Sequence, residues 1–143
     1  MRGTRALMAV GAALASLAVL PASPAARAAP PTGNWQGTIA VYRNGVLSER
    51  AFLELTIGSL RLGQISARAT WLRPPKCIDF LRLARARPRQ WRFSIAGTIG
   101  ICAGTSWIYE LTRRDARRLR LRAWSNLPGF QGEVYVGTLV RRR

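Results

Sequence analysis

Apolar and polar residues alternate along most of the chain after residue 33, in short segments separated by glycine, proline or asparagine. In the segment 35–41, for example, Trp35, Ile39 and Val41 share one parity, and mostly polar or small residues occupy the other. A period of two turns one face of a β-strand toward a core and the other toward water. The pattern predicts an all-β fold, a small antiparallel up-and-down barrel or sandwich of roughly 7–8 strands. Candidate strands lie at 35–42, 51–57, 65–71, 91–95, 107–111, 119–123 and 133–140.

The segment 79–87 is compatible with either a strand or a helix. Its residues alternate from Leu81 onward, but alanine, leucine and arginine also favour helices. The alternation favours a strand or an irregular segment, which Pro88 ends in either case.

The turn between the first two strands contains Asn44-Gly45, a pair that favours a two-residue type I′ turn. With that turn, Trp35 would lie opposite Glu54 and the two faces would mix. A three-residue loop at 43–45 instead places Trp35 opposite Leu53, so that apolar residues share one side. Since a one-residue slip moves every side chain to the other face, burial predicts the three-residue loop, with its glycine left-handed as a G1 bulge.

Residues 1–29 have the features of a secretory signal peptide. Two arginines lie within the first five residues, the segment 6–20 carries no charge, and Ala26-Arg27-Ala28 supplies a small-x-small cleavage pattern. This uncharged run is shorter than the roughly 20 residues of a spanning helix, and no later apolar run exceeds it, so we expect no transmembrane segment after cleavage. The sequence therefore predicts a periplasmic or secreted protein in which residues 30–143 form a single β-barrel-like domain.

Two cysteines in an exported chain most often form a disulfide bond. Cys77 and Cys102 would close a loop that contributes about 3.5 kcal/mol in the chain-entropy model. The C-x-x-C spacing typical of redox sites is absent. We therefore predict a structural disulfide.

Several of the five tryptophans fall on predicted inward faces. Trp71, Trp91 and Trp107 would pack into a core if the interior is filled. If the barrel does not fill completely, the same three residues would line a cavity for a small apolar ligand. The sequence leaves both interpretations open.

The chain is strongly basic, with 23 lysines and arginines, 6 acidic residues and a formal net charge of +17. A surface of this kind attracts polyanions with a marked dependence on salt. All but one of the basic residues are arginine, however, and a GC-rich genome produces such a bias without selection for a ligand. Charge alone therefore does not identify a partner, and it gives no support for specific nucleic-acid recognition.

The most regular arginine pattern is Arg118, Arg120 and Arg122, which alternate with leucine and precede Trp124 on the same face. Residues two apart on a strand are about 6.6–6.8 Å apart, and guanidinium groups bind phosphate, sulfate and carboxylate bidentately. The stripe is a candidate site for an anionic lipid, glycan or envelope polymer, or else a solvated outer face. Other arginines that could extend it are Arg85, Arg87, Arg89, Arg92 and Arg141–Arg143.

Chemistry-bearing motifs are scarce. The chain has no histidine, which excludes a Ser-His-Asp triad and histidine metal ligands, and it has no Gly-rich phosphate-binding motif. Glu54 and Glu110 fall on polar strand faces, where ion pairs with arginine are expected. The sequence therefore predicts a protein that is not an enzyme, with no catalytic residues, no metal site and no cofactor.

Gly33-Asn34-Trp35 at the start of the first strand resembles the G-x-W signature of lipocalins, avidins and other calycins. In those families the tryptophan closes the barrel floor against an arginine near the chain end, a role that the resemblance gives to Arg141. The chain is also similar to small exported β-barrel inhibitors of bacterial metalloproteases in size, compartment and single disulfide. It is short for a lipocalin and lacks a helix before the last strand.

Three functions follow as hypotheses. The first is an exported binding protein that holds an anionic envelope component through the arginine stripe. The second is an inhibitor or immunity-type protein with an enzyme partner, which it would engage through the loop 125–131 and its apolar tip Leu127–Phe130. The third is a carrier of a small apolar ligand in the tryptophan-lined interior.

Overall fold

The computed structural model describes residues 29–72, 76–100 and 106–143. Eight antiparallel strands, each paired with the next along the chain, close into a barrel when the last strand pairs with the first. The strands are β1 (Gly33–Arg43), β2 (Val46–Ile57), β3 (Ile65–Trp71), β4 (Cys77–Arg87), β5 (Gln90–Ile99), β6 (Trp107–Arg113), β7 (Arg118–Ser125) and β8 (Glu133–Arg141). The predicted all-β, up-and-down architecture is confirmed.

The alternation that predicts the strands also sets the core. The inward residues of β1, β2, β6 and β7 are buried, and the ambiguous segment 79–87 belongs to β4. Ile65 is an exception among the described residues, because 59% of its surface is exposed although its parity predicts burial. The pairing of β3 with β4 shifts register between Ile65 and Ala67, which turns Ile65 outward and buries Ser66 instead.

The three-residue loop and the register predicted for the first hairpin are wrong, whereas the left-handed φ predicted for Gly45 is confirmed. Arg43 pairs with Val46 across a two-residue turn, and Asn44 and Gly45 have φ of 50° and 81°, as a type I′ turn requires. A register shift farther along β2 leaves Ser48 as an extra residue. This bulge restores the matching of faces that the two-residue turn alone would lose. Beyond it, Trp35 lies opposite Leu55, Gly37 opposite Leu53 and Ile39 opposite Ala51.

The two ends of the barrel differ. At one end, here called the floor, buried Trp35 donates an indole hydrogen bond to the carbonyl of Pro31 at 2.8 Å. The guanidinium of Arg141 lies 5.6 Å from the Trp35 ring and donates to the carbonyl of Thr32 at 3.0 Å. This is the contact that the calycin resemblance predicts. The opposite end, here called the loop end, carries the β1–β2 hairpin and the loop 126–132.

Closure of the barrel depends on a close approach between β1 and β8. A Cβ atom at Gly37 would overlap the backbone carbonyl oxygen of Thr138. The two strands can therefore lie this close only because residue 37 has no side chain.

Two sequence predictions fall outside the described residues. The signal peptide prediction concerns residues 1–29, of which only Ala29 is described. The predicted disulfide involves Cys102, which is not described, whereas Cys77 is fully buried at the start of β4. Both remain predictions.

Candidate functional site

The outer surface of strands β4 to β7 gathers arginines from three strands. In one cross-strand row, Arg85 lies opposite Arg92, Arg92 opposite Glu110, and Glu110 opposite Arg122. In the next row toward the floor, Arg87, Gln90, Thr112 and Arg120 are neighbours in the same way. We call the five arginines of these rows the arginine face: Arg85, Arg87, Arg92, Arg120 and Arg122. Antiparallel pairing thus joins a sequence stripe on β7 to arginines that lie far away in the chain.

A tryptophan and a glutamate hold the centre of the arginine face. Arg92 donates to Glu110 at 2.8 Å, which confirms the ion pair expected for that glutamate. The guanidinium groups of Arg92 and Arg122 lie 5.4 and 5.2 Å from the ring centre of half-buried Trp124. These cation–π contacts fix two guanidinium groups on either side of one carboxylate. Trp124 therefore positions Arg92 and Arg122.

The arginine face has more positive charge than its own carboxylate can neutralise. Arg85 and Arg92 are direct cross-strand partners, and like charges in that position destabilise a sheet. Two depressions meet at Glu110. The larger, of about 180 Å³, is lined by Glu110, Thr112, Arg120 and Arg122. The smaller is lined by Arg85, Arg87, Gln90, Arg92 and Glu110. An anion seated here would reduce the repulsion between the arginines.

Arg118, the third member of the sequence stripe, has a different environment. Its guanidinium donates to the carboxylate of Asp115 at 2.6 Å, in the connection between β6 and β7. A hydrogen bond from the backbone N–H of Arg117, followed by the one from Arg118, lowers the pKa of Asp115. Arg118 is therefore already paired, whereas Arg120 and Arg122 lie in the larger depression.

The other candidate arginines do not join this face. Arg89 lies in the β4–β5 turn and donates to the carbonyls of Arg113 and Arg114 at 3.2 and 3.0 Å. Arg141 packs on the floor, and Arg142 pairs with Glu54 at 3.1 Å.

A further arginine at the floor was not singled out by the sequence. Arg113 lies 5.7 Å from the Trp91 ring and donates to the carbonyl of Ala29 at 2.8 Å. Burial, followed by the charges of Arg141 and Arg89, lowers the pKa of Arg113.

The three tryptophans proposed as core or cavity lining are all buried. Trp91 packs near the floor, whereas Trp71 and Trp107 lie toward the loop end. Both of the latter contact Tyr135, with ring centres 5.3 and 4.7 Å away. The interior of the loop end is thus an aromatic cluster.

A buried carboxylate lies within this cluster and was not anticipated from the sequence. Asp79, only 3% exposed, accepts hydrogen bonds from Tyr109 at 2.5 Å and Thr98 at 2.9 Å. The indole of Trp71 donates to Tyr109 at 3.0 Å and to Asp79 at 3.3 Å. These bonds offset the cost of burying the carboxylate. Only the odd parity that Asp79 shares with Leu81 could have indicated that it points inward.

We predict that Tyr109 makes the stability of the barrel fall at alkaline pH. Burial, followed by the charge and the hydrogen bond of Asp79, raises the pKa of Tyr109 well above its usual value. Its contribution is complete below the unfolded-state pKa of about 10 and is lost as pH rises through the folded pKa, by up to about 1.4 kcal/mol per pH unit. Urea unfolding from pH 9 to 11 should show that the free energy of unfolding falls less steeply with pH in Tyr109→Phe than in the wild type. Equal slopes in the two proteins would contradict the assignment.

The loop 126–132, which contains the apolar tip predicted as a reactive element, is folded onto the barrel. Phe130 packs edge-on against Trp107, with ring centres 5.9 Å apart. The N–H of Asn44 donates to the carbonyl of Gly132 at 2.9 Å, which ties this loop to the β1–β2 hairpin. Pro128 and Gly129 remain as its exposed tip.

Within residues 29–72, 76–100 and 106–143, no three Cys, Asp or Glu side chains are grouped so that they could hold a metal ion. The same residues contain no helix of the length and apolar character needed to cross a membrane.

Comparison of the chain with protein-family models, with curated proteins and with solved structures found no match. A functional assignment therefore rests on the chemistry of the arginine face and its surroundings.

Proposed function

We propose that this protein is an exported, non-enzymatic binding protein that holds an anionic component of the cell envelope on its arginine face. The proposal combines the predicted signal peptide with the cluster of five arginines on β4, β5 and β7. The ligand would present phosphate, sulfate or carboxylate groups to this surface.

The observation that carries the proposal is the convergence of these arginines around one glutamate. The Cα atoms of Arg120 and Arg122 are about 6.6–6.8 Å apart along β7 because the two residues are two positions apart on a strand. Arg92 lies in the same cross-strand row as Arg122, with Glu110 on β6 between them. Charge-assisted hydrogen bonds from such groups are about twice as strong as neutral ones. Several anionic groups of one polymer could therefore be bound at the same time.

The proposal predicts that Arg120→Gln/Arg122→Gln loses affinity for a soluble polyanion. We expect binding to inorganic polyphosphate at low salt to weaken by about tenfold or more, because each charged hydrogen bond contributes roughly 1.5–3 kcal/mol. The dependence of affinity on salt should also become shallower, since fewer counterions are released on binding. Isothermal titration calorimetry at several salt concentrations measures both quantities.

Two controls separate the arginine face from overall charge. Arg61→Gln/Arg68→Gln removes the same charge from exposed positions on the other side of the barrel and should retain most of the affinity. Arg118→Gln tests the same strand and should weaken binding less than Arg120→Gln, because Asp115 already pairs with Arg118. Equal losses in the face variant and the Arg61/Arg68 variant would show that charge alone binds the polyanion.

A further inference from the structure

Next to the arginine face, the outside of the barrel becomes apolar. Trp124 on β7 lies opposite Val134 on β8, Val134 lies opposite Tyr42 on β1, and Tyr42 lies opposite Leu47 on β2. We call this surface the apolar face: Trp124, Val134, Val136, Ala40, Tyr42 and Leu47. It crosses the outer surface of β7, β8, β1 and β2, in the half of the barrel nearer the loop end.

The apolar face ends at the most exposed apolar residues of the hairpin. Val46 and Leu47, here called the hairpin tip, are 70% and 44% exposed. Leu47 continues the apolar face, whereas Val46 lies opposite Arg43 on the other face of the hairpin, at the loop end of the barrel. Two exposed apolar residues where an apolar surface ends indicate an interaction site more strongly than scattered apolar residues do.

The two faces share an edge along β7 and β8. Arg122 lies opposite Val136, and Trp124 contacts Arg122 while lying opposite Val134. One continuous outer surface is therefore cationic on one half and apolar on the other. In an amphipathic helix, the same combination places the apolar half among lipid acyl chains and the basic half among anionic headgroups.

We propose that this combined surface docks the barrel onto an anionic lipid bilayer, with the hairpin tip inserted into the headgroup region. This inference rests on the proposed function, because it assigns the anions of the arginine face to lipid headgroups. Each arginine near such a surface is attracted by the negative potential of the membrane. Trp124, which is amphipathic and lies at the border of the two faces, would occupy the interface as tryptophan commonly does.

Charge favours a bilayer over a second copy of this chain. Another copy would bring its own excess of arginine against the same surface, since the chain has a formal net charge of +17. A soluble polyanion would satisfy the arginines but would leave the apolar face in water. An anionic bilayer matches both halves at once.

The test compares vesicles with a soluble polyanion. The hairpin-tip variant Val46→Ser/Leu47→Ser is measured on vesicles of neutral lipid with and without about one third anionic lipid, and on polyphosphate. Its matched control is Leu62→Ser/Ile65→Ser, which removes apolar residues that are 67% and 59% exposed beside the floor. Circular dichroism verifies that each variant is folded.

We expect the wild type to bind anionic vesicles and to bind neutral vesicles much less. The tip variant should lose about tenfold in affinity for anionic vesicles while its affinity for polyphosphate is unchanged, and the floor control should match the wild type in both. Brominated acyl chains should quench wild-type fluorescence, and Trp124→Phe should lose most of that quenching because the other four tryptophans are buried.

Three outcomes would overturn the bilayer proposal. If the tip variant binds anionic vesicles as the wild type does, the hairpin does not insert. If light scattering shows that the wild type is a dimer and the tip variant a monomer, the apolar face binds a second copy of the chain. If the wild type binds polyphosphate but not vesicles, the ligand is a soluble polyanion and the proposed function stands. If the wild type binds neither polyphosphate nor vesicles, the proposed function is wrong as well.

Discussion

Replacing Gly37 with alanine is expected to destabilise the barrel more than the same replacement at any other glycine of its described strands. The new Cβ would overlap the carbonyl oxygen of Thr138, a backbone atom of the strand that closes the barrel. Relieving this overlap requires β1 and β8 to separate, which disrupts the pairing that closes the barrel. We expect a loss of about 3 kcal/mol or more in the free energy of unfolding.

Gly97 provides a matched control for this substitution. It lies within β5, and a Cβ atom there would meet nothing within 4 Å. Chemical denaturation followed by tryptophan fluorescence should show Gly97→Ala close to the wild type and Gly37→Ala far below it. A Gly37→Ala protein within about 0.5 kcal/mol of the wild type would mean that β1 and β8 can move apart without cost.

Replacing Trp35 with alanine is the second substitution with a large expected effect. Trp35 is fully buried, donates to the carbonyl of Pro31 and packs under the guanidinium of Arg141. Truncating a buried aromatic residue of this kind costs about 3–5 kcal/mol. Thermal and urea unfolding should report a loss in this range.

Trp35→Phe separates the packing of this residue from its polar contacts. Phenylalanine keeps much of the ring volume but cannot donate to Pro31, so its loss should be clearly smaller than that of alanine. An alanine variant no less stable than the phenylalanine variant would contradict the role of Trp35 as the packed floor of the barrel.

The sequence predicts most of the strands because a half-buried strand must alternate, and this requirement is local. The first hairpin differs from the sequence prediction because a bulge at Ser48 changes the parity within β2. A two-residue turn followed by a bulge at Ser48 matches the apolar faces, and so does a three-residue loop that ends in a G1 bulge. The two arrangements differ by two residues in register. A similar shift beside Ile65 exposes a residue that parity would bury.

The candidate site was partly predictable. The stripe on β7 is visible in the sequence, which also offers Arg85, Arg87 and Arg92 as extensions of it. Which of these arginines converge depends on cross-strand register and on contacts in the turns, such as that of Arg118 with Asp115. For Asp79 the sequence offers only the parity that it shares with Leu81. It does not show that the carboxylate can be buried, because its hydrogen-bond partners come from three other strands.

The hydrogen bond between Asn44 and Gly132 has a consequence for how the loop end would meet any ligand. This bond and the ion pair of Arg43 with Glu133 join the β1–β2 turn to the strand that closes the barrel. These contacts restrict movement of the turn relative to β8, so its conformation is fixed before a ligand binds. Association then costs little conformational entropy, so even a small contact area at this end can contribute usefully to affinity.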